Sequence, residues 1–429
     1  MTRSYISNLS NFFTYKSVPI DITIFSFVLL LIPITLITGP AIPDICLSLI
    51  ALYFLIKSIS RKYWSYYNNT IVYGFLLFSI YGIIRALLSE FPINSLINEG
   101  SVFYFRYIFF AMGVWYLLDH NPYLSKNLFI ITFACVSIVI IDGIYQYFVG
   151  FNFLGFQKHS PTRLTGLFNE EPIIGRYISF LSIFIFGLIL ENFKFSRLIF
   201  ILSISFLLIS GIAIFLTGER APLFYLIIFV FLIFIFLKKY RFYQFLGLVL
   251  SILIVSLTLQ FNPSAKTRVI DLSMKQISET KFPFLPYSEH HEQHYISALK
   301  MFNDNPIFGL GTNTFRNHCL KSKYIYKDKS CTSHPHNFFI QILAELGIVG
   351  FFFICYFFGY LSYFLIRQLI FQIKLRKDRL IPFKNFSFFL ILFVYWWPLI
   401  PHMSLYNNWN NTLMMLPLGF LMKYLYTSK

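Results

Sequence analysis

The chain has 429 residues, of which 57% are hydrophobic and 12% charged, with 55 Phe and a formal net charge of +17. This composition excludes a soluble globular protein, because apolar runs longer than the roughly 18 residues of a spanning helix recur along the chain. In a soluble chain +17 would point to nucleic acid; here Lys and Arg retained in cytoplasmic loops account for it, and no nucleic-acid partner is expected.

The apolar runs predict an all-α polytopic membrane protein with about twelve transmembrane helices. They lie near 21–38, 41–56, 70–88, 102–118, 127–149, 173–190, 198–216, 222–237, 243–259, 337–366, 384–400 and 411–426. No N-terminal segment has the pattern of a signal peptide, so the first run is expected to remain. Alternate loops hold Lys57, Arg61 and Lys62; Lys194 and Arg197; Lys238, Lys239 and Arg241; and Arg367, Lys374, Arg376, Lys377, Arg379 and Lys384. The short loops between them hold only Lys158, Arg163 and Arg220. The first set is therefore expected in the cytoplasm, with both termini. Three parts follow: a membrane domain over 1–259, a long periplasmic loop with short helices over 260–336, and a second membrane domain over 337–429. In the loop, "HHEQHYISALKMF" (290–302) has helical spacing and "NPIFGLGTNTF" (305–315) is rich in turn residues. No internal repeat is evident.

Cys46, Cys135 and Cys355 fall within spans and read as small core residues. Cys319 and Cys331 both lie in the loop, where an oxidising compartment permits a disulfide. Two free thiols are the alternative. A zinc site asks for closer spacing, and "HHEQH" lacks the register of a zinc helix, so no metal is expected.

Charges inside spans are costly and are candidates for function. Arg85, Arg106 and Arg176 sit near the outer ends of the third, fourth and sixth spans, and Arg163 and Arg220 in the adjoining loops. Five guanidiniums at one depth suit phosphate, because the planar fork donates two parallel hydrogen bonds and stays charged. The plainer reading is snorkelling, or pairing with Glu90, Glu99, Glu170, Glu171 or Glu219. Arg220 stands out in the tight "TGERAP" turn (217–222), and Arg163 in "RLTGLFNEEPIIGRY" (163–177). His334 and His336 lie on the same face, just before Asn337, a good N-cap. Asn337, Gln341 and Glu345 recur at i, i+4, i+8 and form one polar stripe on an apolar helix. A histidine at its head can take a proton from a hydroxyl near neutral pH. His336 is the preferred residue, because Pro335 restricts His334 to an extended conformation that should turn it away. Asp142 and Gln146 make a weaker polar spot.

At these residues the chain resembles the O-antigen ligase/polymerase superfamily of bacterial membrane glycosyltransferases. The ligase motif is His-Asn, Ser or Gln, nine residues, Gly-x-x-Gly, then Thr-Tyr. His336-Asn337, nine residues, Gly347 and Gly350 match it, and Phe351-Phe352 depart from Thr-Tyr. "GERAP" and "NPIFGLGTNTF" are similar to family segments, while "GLFNEEPIIG" and "WWPLIPHMSLYNNWNNTLMMLPLG" (396–419) favour the polymerase type. The resemblance implies a polytopic C-type glycosyltransferase in the bacterial inner membrane, with its active site facing the periplasm. It implies inverting transfer from an undecaprenyl-diphosphate-linked glycan donor to a glycan or lipid A–core acceptor, in O-antigen or surface-polysaccharide assembly, without cofactor or metal. Arg220 and Arg163 would hold the diphosphate, with Arg176, Arg106 and Arg85 in support. His336 would act as general base, with Glu219 in reserve; His334, Asn337 and Gln341 would contact substrate. A lipid-linked glycan flippase or transporter is the competing class, and it should carry basic residues deep in the bilayer.

Overall fold

A computed structural model describes residues 18–98, 100–261, 266–271, 274, 275, 278 and 288–426. Glu99, a candidate arginine partner, and most of 262–287 lie outside the described residues.

Among the described residues the chain is helical, with only isolated bridges at Phe151–Gln157 and Ser160–Arg163. The helices are α1 (Ile20–Thr35), α2 (Ala41–Ser60), α3 (Thr70–Leu87), α4 (Arg106–His120), α5 (Leu124–Val149), α6 (Ile174–Asn192) and α7 (Arg197–Thr217). They continue as α8 (Arg220–Phe236), α9 (Arg241–Phe261), α10 (Glu289–Asp304), α11 (Phe315–His318), α12 (Phe338–Ile373), α13 (Phe383–Tyr395) and α14 (Asn408–Tyr426). A helix stands at each expected run. Nine stretches among the described residues are long and apolar enough to cross a membrane, while α8 and α13 are shorter. α14 opens on Asn408, Asn410 and Asn411 and is not one of the nine. The architecture is that of a polytopic membrane protein.

Burial separates the centre of the bundle from its rim. The most apolar window of α6 is 89% buried and that of the α9 stretch 11%, so α6 is central and α9 faces outward. α6 packs on α5, α7, α8 and α13 through Tyr177, Phe180, Phe184 and Phe186. Its polar residues are satisfied by neighbouring helices: Ser179 donates to the Pro222 carbonyl (2.9 Å), and the Ser182 and Ser210 hydroxyls lie 2.8 Å apart. Lipid tails are as apolar as leucine, so such bonds and close packing hold spanning helices together. At Gly419 of α14 an added Cβ would lie 2.6 Å from Val114 Cβ of α4, which is how closely those two helices approach. The carbonyls left over at the end of α1 are taken by side chains: Tyr177 donates to Pro33 (2.6 Å) and Trp409 to Leu36 (2.8 Å).

One helix is broken. Gly347 in α12 has φ 64° and ψ −164°, a conformation open to glycine and not to L side chains. The 305–311 loop fills the break. Leu310 and Gly311 donate to the carbonyls of Ala344 and Glu345 (3.1 and 2.8 Å). Ile348 and Val349 donate to those of Pro306 and Ile307 (2.9 and 3.3 Å). Two helical bonds are opened and four to the loop replace them. The Tyr81 hydroxyl takes the Leu346 carbonyl (2.8 Å). A Cβ on Gly347 would meet the Ile307 oxygen at 2.3 Å, and one on Gly309 the Glu345 carbonyl carbon at 2.3 Å, so glycine is required on both sides of the contact. The buried Glu345 carboxylate extends the seam by accepting from the Asn313 and Phe315 amides, each at 3.0 Å.

Candidate functional site

The site forms where the N-terminal ends of α6, α8, α12 and α14 meet. α7 ends at Gly218, in the left-handed region at φ 74°, and the chain turns through Glu219 into α8. Glu219 holds the N-cap position, but its carboxylate does not cap its own helix. It accepts instead from the Gly175 amide in the first turn of α6 (2.6 Å), which ties the two helix starts together. Arg220 opens α8 and lies within electrostatic reach of Arg163. Arg163 is placed by a folded loop: the Leu164 amide donates to Thr217 (3.3 Å), and the Thr165 and Gly166 amides donate to Gln146 Oε1 (3.0 and 2.8 Å). Asp142 accepts from the Phe153 amide (2.9 Å). The second polar spot of the sequence therefore shapes the loop that carries Arg163.

Arg176 is the hub. Its charge acts on Glu219, Tyr225, His334, His336 and His402 together. Asn410 of α14 accepts from its Nη1 (3.4 Å), and the guanidinium lies 5.9 Å from the Phe180 ring centroid. Burial pushes the Glu219 carboxyl up to about 7, against the opposing pull of the Gly175 amide, Arg163 and Arg176.

Four histidine rings cluster beside the arginines, edge-on or tilted to one another. The His336 ring lies 4.3 Å from that of His334, and 5.3 Å from those of His291 and His294. Burial first, then His294 and Arg176, pushes His336 down to about 4. Burial, His336 and Arg176 push His334 to about 3. Burial, followed by His336, His294 and Arg220, brings His291 to about 3; His294 falls to about 4, chiefly by burial. All four are neutral at pH 7, so arginine supplies the positive charge of the site.

The expected divergence of the two motif histidines is corrected. His336 adopts φ 55°, which turns the chain back after Pro335 and brings both rings to the same cluster. The His336 carbonyl accepts from the His402 amide (2.7 Å), and the His402 ring lies 4.2 Å from Phe338. His402, with His291 and His294, was missed in the sequence. The i, i+3 spacing in "HHEQH", which puts two histidines on one helix face, was the available signal. Several polar atoms here are buried without a partner: Arg163 Nε, Tyr225 Oη, His294 Nδ1, His334 Nε2 and both ring nitrogens of His402. Such groups are costly unless something polar meets them.

The other candidates have protein partners. Arg85 donates to the carbonyls of Phe308 and Gly309 (2.9 and 2.8 Å), clamping the loop over the α12 break. Arg106 pairs with Asp44 (2.7 Å) and donates to Asn408 (3.1 Å). Neither joins the arginines around Arg176. Glu90 pairs with Lys321. Asn337 caps α12 through the Phe339 and Ile340 amides (2.9 and 3.2 Å) and donates to Pro398 (2.8 Å). Gln341 donates to Ser404 (3.0 Å) and accepts from the Leu405 amide (3.2 Å). The polar stripe thus holds the 396–407 segment in place. Cys319 and Cys331 are joined, with Cα atoms 5.0 Å apart. Among the described residues no group of three or more His, Cys, Asp or Glu is arranged to hold a metal ion.

Residues 204–355 match the model of a family described as O-antigen ligase, and the match supports the O-antigen ligase/polymerase superfamily for this chain. It spans Glu219, Arg220, α10, both motif histidines and the α12 break; Arg163, Arg176 and His402 lie beyond it. No curated protein matches the chain.

Proposed function

From the O-antigen ligase/polymerase superfamily as premise, we propose that this chain is an inverting glycosyltransferase of the bacterial inner membrane. It takes a glycan from an undecaprenyl-diphosphate donor and passes it to an acceptor sugar on the periplasmic face. The polymerase type is favoured over the ligase type by the Phe351-Phe352 departure and by the 396–419 segment. The observation that carries the reading is the neighbourhood of Arg163 with Arg220, and of Arg163 and Arg176 with Glu219, beside a cluster of four histidine rings.

In the reaction the bond between the anomeric carbon and the diphosphate oxygen breaks, and the electron pair leaves with the diphosphate. Arg220 and Arg163 stabilise that developing charge, and Arg176 links it to the base side. The acceptor oxygen attacks from the opposite face and forms the new glycosidic bond. Its proton goes to Glu219, whose raised pKa places it near the working pH. His336 and His334 orient the acceptor hydroxyl as neutral rings.

The test is the product profile in a strain lacking its own enzyme. Ladders of repeat units on the lipid carrier are expected, and transfer of preformed glycan to lipid A–core would make the chain a ligase. Translocation of the lipid-linked glycan with no change in its length would replace the reading with a flippase.

A further inference from the structure

A second polar cavity opens on the other side of α14. Asp44 in the first turn of α2, Arg106 at the start of α4 and Asn408 at the start of α14 line it, around a volume of about 150 Å³. Phe103, Tyr104 and Tyr406 supply aromatic surface. Resting on the glycosyltransferase reading, we infer that this cavity is a subsite for one uncharged sugar unit of the glycan substrate, remote from the diphosphate.

The charge balance argues against phosphate. Arg106 and Asp44 are paired at 2.7 Å, so an incoming anion meets a carboxylate as well as a guanidinium. Both side chains keep partial exposure, 23% and 20%, so the pair stays reachable from the cavity. Asn408 Oδ1 accepts from Arg106 (3.1 Å) and from the Tyr107 hydroxyl (2.7 Å), which fixes its orientation. Among the described residues the result is a fixed, formally neutral array of donors and acceptors. Vicinal hydroxyls, each both donor and acceptor, match such an array, and the C–H face of a pyranose matches the rings beside it. Pockets that recognise small ligands combine a few fixed polar groups with apolar walls.

Position argues for the same substrate. Asn408 faces this cavity, and Asn410, two residues on, accepts from Arg176. The two asparagines lie about 3 Å apart along the helix axis and point to opposite sides. One short segment also carries His402 at the arginine site and Tyr406 at the cavity. A glycan whose reducing end sits at Arg176 can therefore pass the start of α14 and place a distal sugar between Asp44 and Tyr406.

The probe is the repeat-unit oligosaccharide released by mild acid from the host's lipid-linked intermediate, which carries neither diphosphate nor lipid. Its binding to the full-length protein in nanodiscs is measured by calorimetry, beside that of inorganic pyrophosphate. The wild type should bind the oligosaccharide. Asn408→Ala and Phe103→Ala should each weaken it by about tenfold, the scale of losing one good contact, and leave pyrophosphate binding unchanged. Phe103 is 52% exposed, so its truncation spares the core and keeps the test independent of folding. Equal oligosaccharide affinity in wild type and both variants overturns the subsite, and so does a wild type that transfers glycan but does not bind the oligosaccharide. If binding is lost in the variants while the wild type makes no product, the subsite stands and the glycosyltransferase reading falls.

Discussion

Two groups of arginines share one end of the bundle, and they differ in what holds them. Arg85 and Arg106 are bound to fixed protein partners, two loop carbonyls for the one and Asp44 with Asn408 for the other. Arg163 and Arg220 lie within electrostatic reach of each other, and Arg163 and Arg176 both act on Glu219, whose carboxyl burial raises to about 7. Depth in the membrane made all five look alike. Their charged neighbours separate them: Arg106 faces a carboxylate and Arg85 two carbonyls, whereas Arg163 acts repulsively on Arg220 and shares with Arg176 a carboxyl that burial keeps partly neutral, an arrangement that favours the arrival of an anion.

The sharpest test of that contrast is removal of single arginines. Arg220→Ala and Arg176→Ala should each lower transfer by about 10³-fold, the scale of losing a preorganised donor to developing charge. Lysine should rescue either poorly, because the fork is lost. Transfer within tenfold of wild type in purified Arg176→Ala would remove the hub from the mechanism. Next in size is the base. The pH–rate profile should rise with an apparent pKa near 7, the value to which burial pushes Glu219. Glu219→Gln should lose that limb and about 10²-fold in rate. His336→Ala should keep the limb, since its ring titrates near 4; loss of the limb in that variant would return the proton to histidine.

The histidine cluster predicts a stability effect of the opposite kind from a buried ion pair. His291, His294, His334 and His336 titrate at about 3 to 4, below the ordinary histidine value. Below about pH 6.5 the unfolded segment binds protons that the folded one does not. Stability is therefore complete above that pH and falls as the pH drops toward 4, by up to about 1.4 kcal/mol per pH unit for each ring. Hydrogen-exchange protection factors over 288–336, taken relative to the intrinsic rate at each pH, should fall between pH 7 and pH 5; unchanged protection would mean that the rings are already solvated. The smallest expected effect is at Arg85. Arg85→Ala should cost about 1–3 kcal/mol of local stability by freeing two carbonyls. Transfer per folded molecule should stay within about threefold. A loss as large as that of Arg220→Ala would erase the distinction between the two groups.

Helix positions were legible because a bilayer leaves the backbone few choices, and every apolar run found its helix. The Asn337 cap and the turn before α8 were legible for local reasons. Partners distant in sequence were not. Nothing near Arg106 indicates Asp44, 62 residues earlier, and nothing near Arg85 indicates carbonyls more than 220 residues later. The stripe Asn337, Gln341 and Glu345 was visible as polar, but its bonds go to Pro398, Ser404 and the 313–315 amides rather than to substrate. The placement of His334 was not legible from Pro335 alone, because the next residue, His336, takes a left-handed backbone that turns the chain back.

The break in α12 has a consequence for biosynthesis. The groups that complete it, from Pro306 to Gly311, precede the helix in the chain and emerge from the ribosome first. A nascent α12 that enters the membrane before this loop has folded closes its own ladder as a straight rod. To reach the final state it must then open two bonds in a medium where each unpaired group costs several kcal/mol. A loop already folded meets the helix as it arrives, and four bonds form where two would have been. The order of synthesis thus favours the bent helix over the straight one, and a loop slow to fold would leave the protein with a straight α12 that inserts normally but lacks the seam to 305–311.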